Sequence, residues 1–241
     1  MSTSSSAAEK DHATRVRSMF ANISARYDLL NHLLSASLDK QWRRKVARQV
    51  QSTVNSDGFV LDVACGTGDL AFTLLEATGA QVIGTDFCRP MLEVAQRKGA
   101  KQNRRVPFIE GDALQLPFAN DSFDAVTIAF GLRNLASFES GLQELLRVVK
   151  PGGNVLVLEC SKPTMPGFRQ LYEFYFHRVL PVLGGIVSGS KSAYAYLPDS
   201  VRRFPDQKGL ASMMRAVGFD SVEFSNLTGG VAAIHCGTKP R

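Results

Sequence analysis

With 241 residues, 44% of them hydrophobic, the chain is long enough to bury the core of one α/β domain with an appended helical region. No stretch approaches the roughly 18 uncharged apolar residues of a membrane-spanning helix. Four scattered cysteines, Cys65, Cys88, Cys160 and Cys236, include no Cys-x-x-Cys pair, which argues against a zinc site or a disulfide framework and fits a reducing cytosol. No metal site is expected. The net charge of +6 is spread along the chain rather than gathered in a tract, so nucleic acid is not an expected partner, while an anionic membrane surface stays open.

Residues 1–12 read as a disordered tail: Met1 to Glu9 is polar, low in complexity and lacks the apolar stretch of a signal peptide. Residues 13–241 then form a single domain. Val16, Met19, Phe20, Ile23 and Tyr27 recur at helical spacing, as do Leu38, Trp42, Val46 and Val50. They predict two amphipathic helices joined by Asn31 to Ser35. This region, residues 13–56, either packs over a sheet or forms a lid that offers Tyr27, Asn31 or His32 to a ligand.

Residues 60–69, Val-Leu-Asp-Val-Ala-Cys-Gly-Thr-Gly-Asp, form the most informative stretch. An apolar run carrying Asp62 breaks at Gly66 and Gly68, and a helix-forming segment follows. This pattern predicts a strand, a tight turn and a helix N-terminus that a nucleotide-like ligand can approach closely. With Ala71 and the downstream Asp86 it also fits a dinucleotide fingerprint, so NAD(P) and S-adenosylmethionine compete. A pyrophosphate favours bare amides, whereas a sulfonium and an ammonium favour nearby carboxylates. Asp62 and Asp69 therefore suit S-adenosylmethionine, although Asp62 would equally serve to brace the glycine loop.

Val82 to Asp86 predicts a second strand, whose terminal carboxylate can accept both ribose hydroxyls or cap the helix starting near Pro90. A third strand, Val106 to Ile109, leads into Glu110-Gly111-Asp112-Ala113, where an Asp can accept from an adenine amino group. A fourth, Asp124 to Ala129, runs into Phe130-Gly131-Leu132-Arg133-Asn134. Lys150 to Gly153 turns the chain into a fifth, Asn154 to Glu159. Strands alternating with helical stretches predict a doubly wound parallel sheet that binds ligands at its strand ends. An S-adenosylmethionine-dependent methyltransferase is the leading reading.

Residues 164–200 carry a dense aromatic patch and then an uncharged run, Val179 to Val187, broken by Pro181, Gly184 and Gly185. This segment reads as a helical insertion on the substrate side. Its apolar run suits a channel, a membrane surface, a homodimer interface or extra core. Val222 to Ser225 and Ala232 to Cys236 predict a closing antiparallel pair joined through Leu227 to Gly230.

Several of these segments together resemble the quinone-biosynthesis C-methyltransferases, the UbiE/MenG group that methylates prenylated quinols. They are Met19-Phe20, Ala25-Arg26-Tyr27-Asp28 with Asn31, the glycine loop, Gly131-Leu132-Arg133-Asn134 and Lys150-Pro151-Gly152-Gly153. They continue with Leu158 to Pro163, Tyr194 to Pro198 with Ser200, and Leu227 to Gly230 with Ala233-Ile234-His235, covering nearly the whole chain from about residue 15. The resemblance implies a seven-stranded Rossmann-like class I methyltransferase sheet with N-terminal lid helices. It further implies S-adenosylmethionine contacts at Thr67, Asp86, Asp112 and Ala113. Ala129 stands where many relatives carry a serine, so a contact there is through backbone. Cys160 stands where phenylalanine is usual. Trp42-Arg43-Arg44 and Ser200 to Pro205 look more like the demethylmenaquinone enzymes than the benzoquinol ones.

On that resemblance, the expected reaction moves a methyl group to a ring carbon of a reduced prenylated quinone. Arg133 is the candidate for stabilising a phenolate or acidifying a bound water, with a loop-pinning salt bridge as its plainer role. Asn134 would orient the second ring oxygen, and Tyr27 or Asp28 would complete a proton path. His235 is the more doubtful candidate, a late-strand histidine being more often structural. Cofactor binding is expected from Asp62, Gly66, Thr67, Gly68, Asp86, Asp112, Ala113 and Ala129. The protein is expected to be cytoplasmic, loosely associated with the inner face of the cytoplasmic membrane. Competing readings are methylation of a benzoquinol, methylation of a small soluble metabolite, an NAD-dependent dehydrogenase and a non-catalytic scaffold.

Overall fold

The computed structural model describes residues 3–164 and 191–241. Apolar runs bounded by glycine, proline or acid form seven strands. They are β1 (Phe59–Val63), β2 (Gln81–Asp86), β3 (Phe108–Glu110), β4 (Phe123–Ala129), β5 (Val149–Cys160), β6 (Asp220–Leu227) and β7 (Ala232–Thr238). They make one sheet in the order β3-β2-β1-β4-β5-β7-β6. The first five are parallel, and β7 runs antiparallel to both neighbours. The seven-stranded, doubly wound architecture expected from the sequence is present.

Side-chain alternation along each strand divides the core between two faces. Leu61, Val63, Val126 and Ile128 pack under α6 (Phe138–Val148) and α8 (Gln207–Val217). Val60, Val82, Ala125 and Leu156 face α3 (Leu38–Gln51) and α4 (Asp69–Thr78). By the same alternation Asp62 lies on the α3/α4 face. Two caps place helices firmly: Ser137 accepts from the Ser140 amide ahead of α6, and Asp206 from the Gly209 amide ahead of α8. Of the other described helices, α5 (Arg89–Lys101) follows β2 and α7 (Lys191–Arg203) precedes α8.

Three boundaries differ from expectation. The helix α1 (Thr3–Ile23) begins inside the expected disordered tail, because Ala7, Ala8, Glu9 and Lys10 are strong helix formers that extend the amphipathic part. The expected Asn31–Ser35 linker is largely inside α2 (Tyr27–Leu34). The chain breaks instead at a 3₁₀ turn, Ser24–Arg26, and reverses through Ala36 and Ser37, both left-handed. Lys150 to Gly153 is an irregularity within the long β5 rather than a turn before it, with the Gly152 amide donating to the Lys239 carbonyl at 2.8 Å. Most of the expected 164–200 insertion, including the run at 179–187, falls outside the described residues.

The chain entering that insertion is nonetheless anchored. Gly229 accepts from the Thr164 amide at 3.1 Å and Val231 from the Ser161 amide at 2.8 Å. Trp42 Nε1 donates to Thr228 Oγ1 at 3.0 Å, tying α3 to the same turn. The structural reading of His235 holds. It is buried in β7, its Nε2 lies 2.8 Å from the Gln207 carbonyl, and burial depresses its pKa.

Gly68 has little freedom to change. Its φ of +83 is left-handed, and a Cβ there would lie 2.8 Å from the Phe108 ring. The Gly68→Ala variant should lose about 1–3 kcal/mol of folding stability, measured by urea denaturation of the ligand-free protein.

Candidate active site

A cavity of about 250 Å³ opens beyond the carboxyl ends of β1, β2 and β4. Its floor is the glycine loop, and its roof is α1 with Tyr27 at the start of α2. The residues leading out of β1 and β4, Ala64 and Phe130, both have positive φ, 50° and 57°. Strained backbone of this kind persists where the surrounding structure holds it, commonly at ligand sites. Gly66, at φ +55, has space before it: a Cβ would meet only the Tyr27 ring, at 3.9 Å.

Of the residues expected to bind a cofactor, Gly66, Asp86, Asp112, Ala113 and Ala129 line this cavity, as do the catalytic candidates Tyr27 and Asn134. Asp86 joins the two expectations held for it. Its Oδ2 accepts from the Gly66 amide at 2.9 Å and its Oδ1 from the Cys88 amide at 2.8 Å. It thus braces the glycine loop and opens α5 while facing the cavity. Burial pushes its carboxyl up to about 6, against the pull of those amides. The Asp112 Oδ1 accepts from the Leu114 amide at 2.9 Å.

Four expected site residues do not line it. Asp62 is buried on the α3/α4 face of β1, where its Oδ1 accepts from Thr127 Oγ1 at 2.8 Å. Burial raises its carboxyl to about 7. Thr67 turns away from the cavity and donates to the Asp28 carboxylate. Gly68 serves α4 and the Phe108 contact. Arg133 is buried in an ion pair, its NH1 donating to Glu159 Oε1 at 2.5 Å and to the Phe130 carbonyl at 2.7 Å. Its plainer expected role, pinning the loop after β4, is therefore realised. The guanidinium stays close to the chemistry all the same, since its field reaches the Tyr27 hydroxyl.

Asp28 and Asp69 likewise take tasks outside the cavity. Lys98 of α5 bridges the two, reaching Asp28 Oδ2 at 2.8 Å. Asp69 Oδ2 also lies 3.7 Å from both Arg43 and His32. Asp28 is thus committed to Thr67 and Lys98 rather than to a proton path. Tyr27 has its pKa raised by burial, with Arg133 pulling the other way, so at neutral pH it is a donor and not a base. Burial also pushes the Cys160 thiol up to about 11, which removes it as a nucleophile.

Sequence reasoning missed the apolar walls, Ala13 and Phe20 of α1 together with Phe87 and Met91. Phe87 follows Asp86 directly, and Phe20 lay on a helix already read as a lid; both were findable by placing the strand ends first. Glu159, quoted only as part of a motif, emerges as the partner of Arg133.

The ubiE/COQ5 methyltransferase family matches residues 8–239. The chain belongs to this family. A demethylmenaquinone methyltransferase from Thermus thermophilus is 51% identical over 223 residues, covering 92% of this chain and all of that one. A ubiquinone/menaquinone biosynthesis C-methyltransferase from Geobacter is 45% identical, covering 93% and 96%. Among solved structures, an S-adenosylmethionine-dependent methyltransferase from Thermotoga maritima superposes with a TM-score of 0.62 at 20% identity, covering 92% and 98%. That likeness supports the fold.

The family cofactor is S-adenosylmethionine, and the cavity fits it. The open face of Gly66 admits a ligand against the backbone, Asp86 and Asp112 offer carboxylate acceptors, and the walls between them are apolar. A dinucleotide would bring its phosphates to a loop whose Gly66 amide is already taken by a carboxylate.

Two outcomes follow from the buried charges. Because the folded chain holds the Asp62 proton more tightly than the unfolded chain, stability is lost as pH rises from about 4 to about 7. The melting temperature of wild type should therefore fall relative to Asp62→Asn across that range, read by thermal melts at several pH values. Arg133→Ala and Glu159→Ala should each cost about 3–5 kcal/mol, by stranding the other charge. The double variant should lose less than their sum in denaturant titrations.

Proposed function

We propose that this methyltransferase C-methylates demethylmenaquinol to menaquinol with S-adenosylmethionine. The observation that carries the reading is the family match over residues 8–239, joined to 43–51% identity with relatives named demethylmenaquinone methyltransferases along more than nine-tenths of the chain. The cavity supports it: Asp86, Asp112, Tyr27 and Asn134 line one space, and the Arg133 charge acts on Tyr27.

Bound there, S-adenosylmethionine would supply an electrophilic methyl group for a nucleophilic ring carbon. Asp86 would accept from the ribose hydroxyls and Asp112 from the adenine. A ring carbon becomes strongly nucleophilic when the neighbouring hydroxyl is ionised, so the protein must favour a phenolate in a site largely closed to water. The cation fixed by Glu159 does this through its field, since a guanidinium stays charged at any working pH. Tyr27 and Asn134 add hydrogen-bonding groups on the cavity wall, and Phe20 closes the roof.

The substrate's tail is too apolar to leave a bilayer, so the reading includes contact with a membrane surface. Among the described residues no helix is long and apolar enough to cross a membrane. Leu29 and Leu33, one turn apart on α2, are 61% and 53% exposed, which suits shallow apolar contact with a membrane surface.

The test offers labelled S-adenosylmethionine with chemically reduced demethylmenaquinone or a demethylated benzoquinol in detergent, followed by mass analysis. The expected result is ring methylation, faster with the naphthoquinol. A faster benzoquinol would reassign the substrate, and transfer to neither despite cofactor binding would overturn the reading.

A further inference from the structure

Charge that is scattered along the sequence is gathered locally by the fold. Helix α3 carries five cations and a single acid. Its inner face buries Asp39 and Arg43, which pair with each other, beside Trp42, Val46 and Val50. Its outer face exposes Lys40, Arg44, Lys45 and Arg48 among glutamines, with no acid between them. Lys40, Arg44 and Arg48 recur every four residues, so they form one stripe along the helix. None of these four cations meets a carboxylate among the described residues.

An apolar pair stands next to the stripe. The corner between α2 and α3 is fixed by Asp39: Ser35 Oγ donates to its Oδ1 at 2.7 Å, and His32 Nδ1 lies 2.8 Å from its Oδ2. Lys40 and Arg44 share one groove with Asp28 and His32 of α2. The acids along that groove are already paired, Asp28 and Asp69 with Lys98 and Glu76 with Arg104, so they do not neutralise the stripe. Leu29 and Leu33 follow Asp28 and His32 by one position each, about 100° round the helix. The two exposed leucines therefore occupy the face of α2 next to the groove. Its inner side carries Tyr27 toward the cofactor cavity and buries Leu30.

The charge selects what covers this face. A second copy docking through it would bring the same cations against themselves, and like charges across an interface oppose association. A nucleic acid would suit the stripe but would gain nothing from two leucines. A bilayer surface bearing anionic phospholipid satisfies both features. Its phosphates meet the cations, and the leucines enter the boundary between headgroups and acyl chains.

We propose that α2 and α3 together dock the protein on an anionic phospholipid membrane, with Leu29 and Leu33 inserted and Lys40, Arg44, Lys45 and Arg48 on the headgroups. This rests on the proposed C-methylation of an apolar quinol and adds to it the docking face, the lipid charge and the orientation. Tyr27 then lies one helix diameter from the lipid, about 10 Å, which brings the roof of the cofactor cavity close to the phase that holds the quinol.

The experiment sediments the full chain with vesicles of phosphatidylcholine, alone or with about 30% phosphatidylglycerol, at about 50 and 500 mM salt. Wild type should bind the anionic vesicles about tenfold or more above the neutral ones at low salt, and lose that preference at high salt. Lys40→Gln, Arg44→Gln and Arg48→Gln combined should bind about 100-fold more weakly, each cation near an anionic surface contributing about fivefold. Leu29→Gln with Leu33→Gln should bind about tenfold more weakly. Arg44→Lys with Arg48→Lys, which keeps the charge, should bind as wild type does. In all of them S-adenosylmethionine affinity, melting temperature and turnover of reduced demethylmenaquinone in detergent should stay at wild-type values. Turnover of the same quinol embedded in anionic vesicles should fall with binding.

Equal binding of wild type to neutral and anionic vesicles, or binding indifferent to salt, overturns the proposal without reference to any variant. Full binding by the triple glutamine variant overturns it as well. So does a dimer in solution that the leucine substitutions disperse while vesicles stay unbound. A wild type that docks on anionic vesicles as expected yet methylates neither quinol supports the docking face and overturns the functional reading alone.

Discussion

The site exists because the chain leaves two neighbouring strands in opposite directions. β1 and β4 lie side by side at the middle of the sheet, yet one connects outward to β2 and the other to β5. Beyond their carboxyl ends the connections part and leave a crevice that only a ligand or a covering element can fill. Both turns must be made at once in a confined space. A Cβ on Gly131 would lie 2.5 Å from the Ala64 Cβ, so the loop after β4 rests directly on the loop after β1. The left-handed Ala64 and Phe130 are the local cost of that contact. Gly66 and Asn134 hang from these two turns, and Asp86 at the end of β2 is bonded to the first of them.

The cover is attached differently from the sheet. Strands β1, β4 and β5 are buried among aliphatic side chains, whereas α1 and α2 bury Val16, Ile23 and Leu30 and are also tied to the glycine loop and α5 by charged contacts. Thr67 and Lys98 hold Asp28, Lys98 also holds Asp69, and Arg17 reaches Glu110 at 2.5 Å and the Phe87 carbonyl at 2.7 Å. Arg17 and Glu110 are both substantially exposed, so their pairing adds little to stability. Polar attachments that water can replace open at lower cost than an apolar seam. The roof of the cofactor cavity is thus the part of this fold best suited to admit and release a ligand.

The sheet, its alternation of strands with helices and the cavity-facing places of Asp86, Asp112 and Ala113 were legible because they follow from local pattern. An apolar run ending in an acid predicts both the strand and where its last side chain emerges. What stayed hidden were pairings between residues far apart in sequence. Nothing local distinguishes an arginine that enters a cavity from one that meets a carboxylate twenty-six residues later, and Arg133 with Glu159 is that case. Asp62 was legible only in part: a carboxylate in an apolar strand signals a task, and strand alternation sends it to the α3/α4 face, where one of its oxygens bonds with Thr127. The sequence could offer Asp28 to a proton path and Asp69 to the cofactor because nothing local places Lys98 between them. The tail also showed that composition sets a boundary loosely: Met1 to Glu9 is polar, yet alanines beside an amphipathic helix extend it.

The burial of Arg133 is better understood as positioning than as stability. A buried ion pair returns little beyond its desolvation cost, and an apolar pair of equal volume often folds as well. Its use lies in geometry. The pair spans the ends of β4 and β5, and the Glu159 carboxylate also stands 3.3 Å from the Arg133 amide, so backbone and guanidinium are held by one anchor. An arginine can be held by some of its N–H groups and still present another in a fixed direction, which the single rotatable head of a lysine cannot do. The Glu159 pairing therefore leaves Arg133 with its charge near Tyr27 and, among the described residues, its Nε–H unspent. A site that must stabilise an anion without carrying a mobile cation is built in this way, with the countercharge provided in advance by the fold.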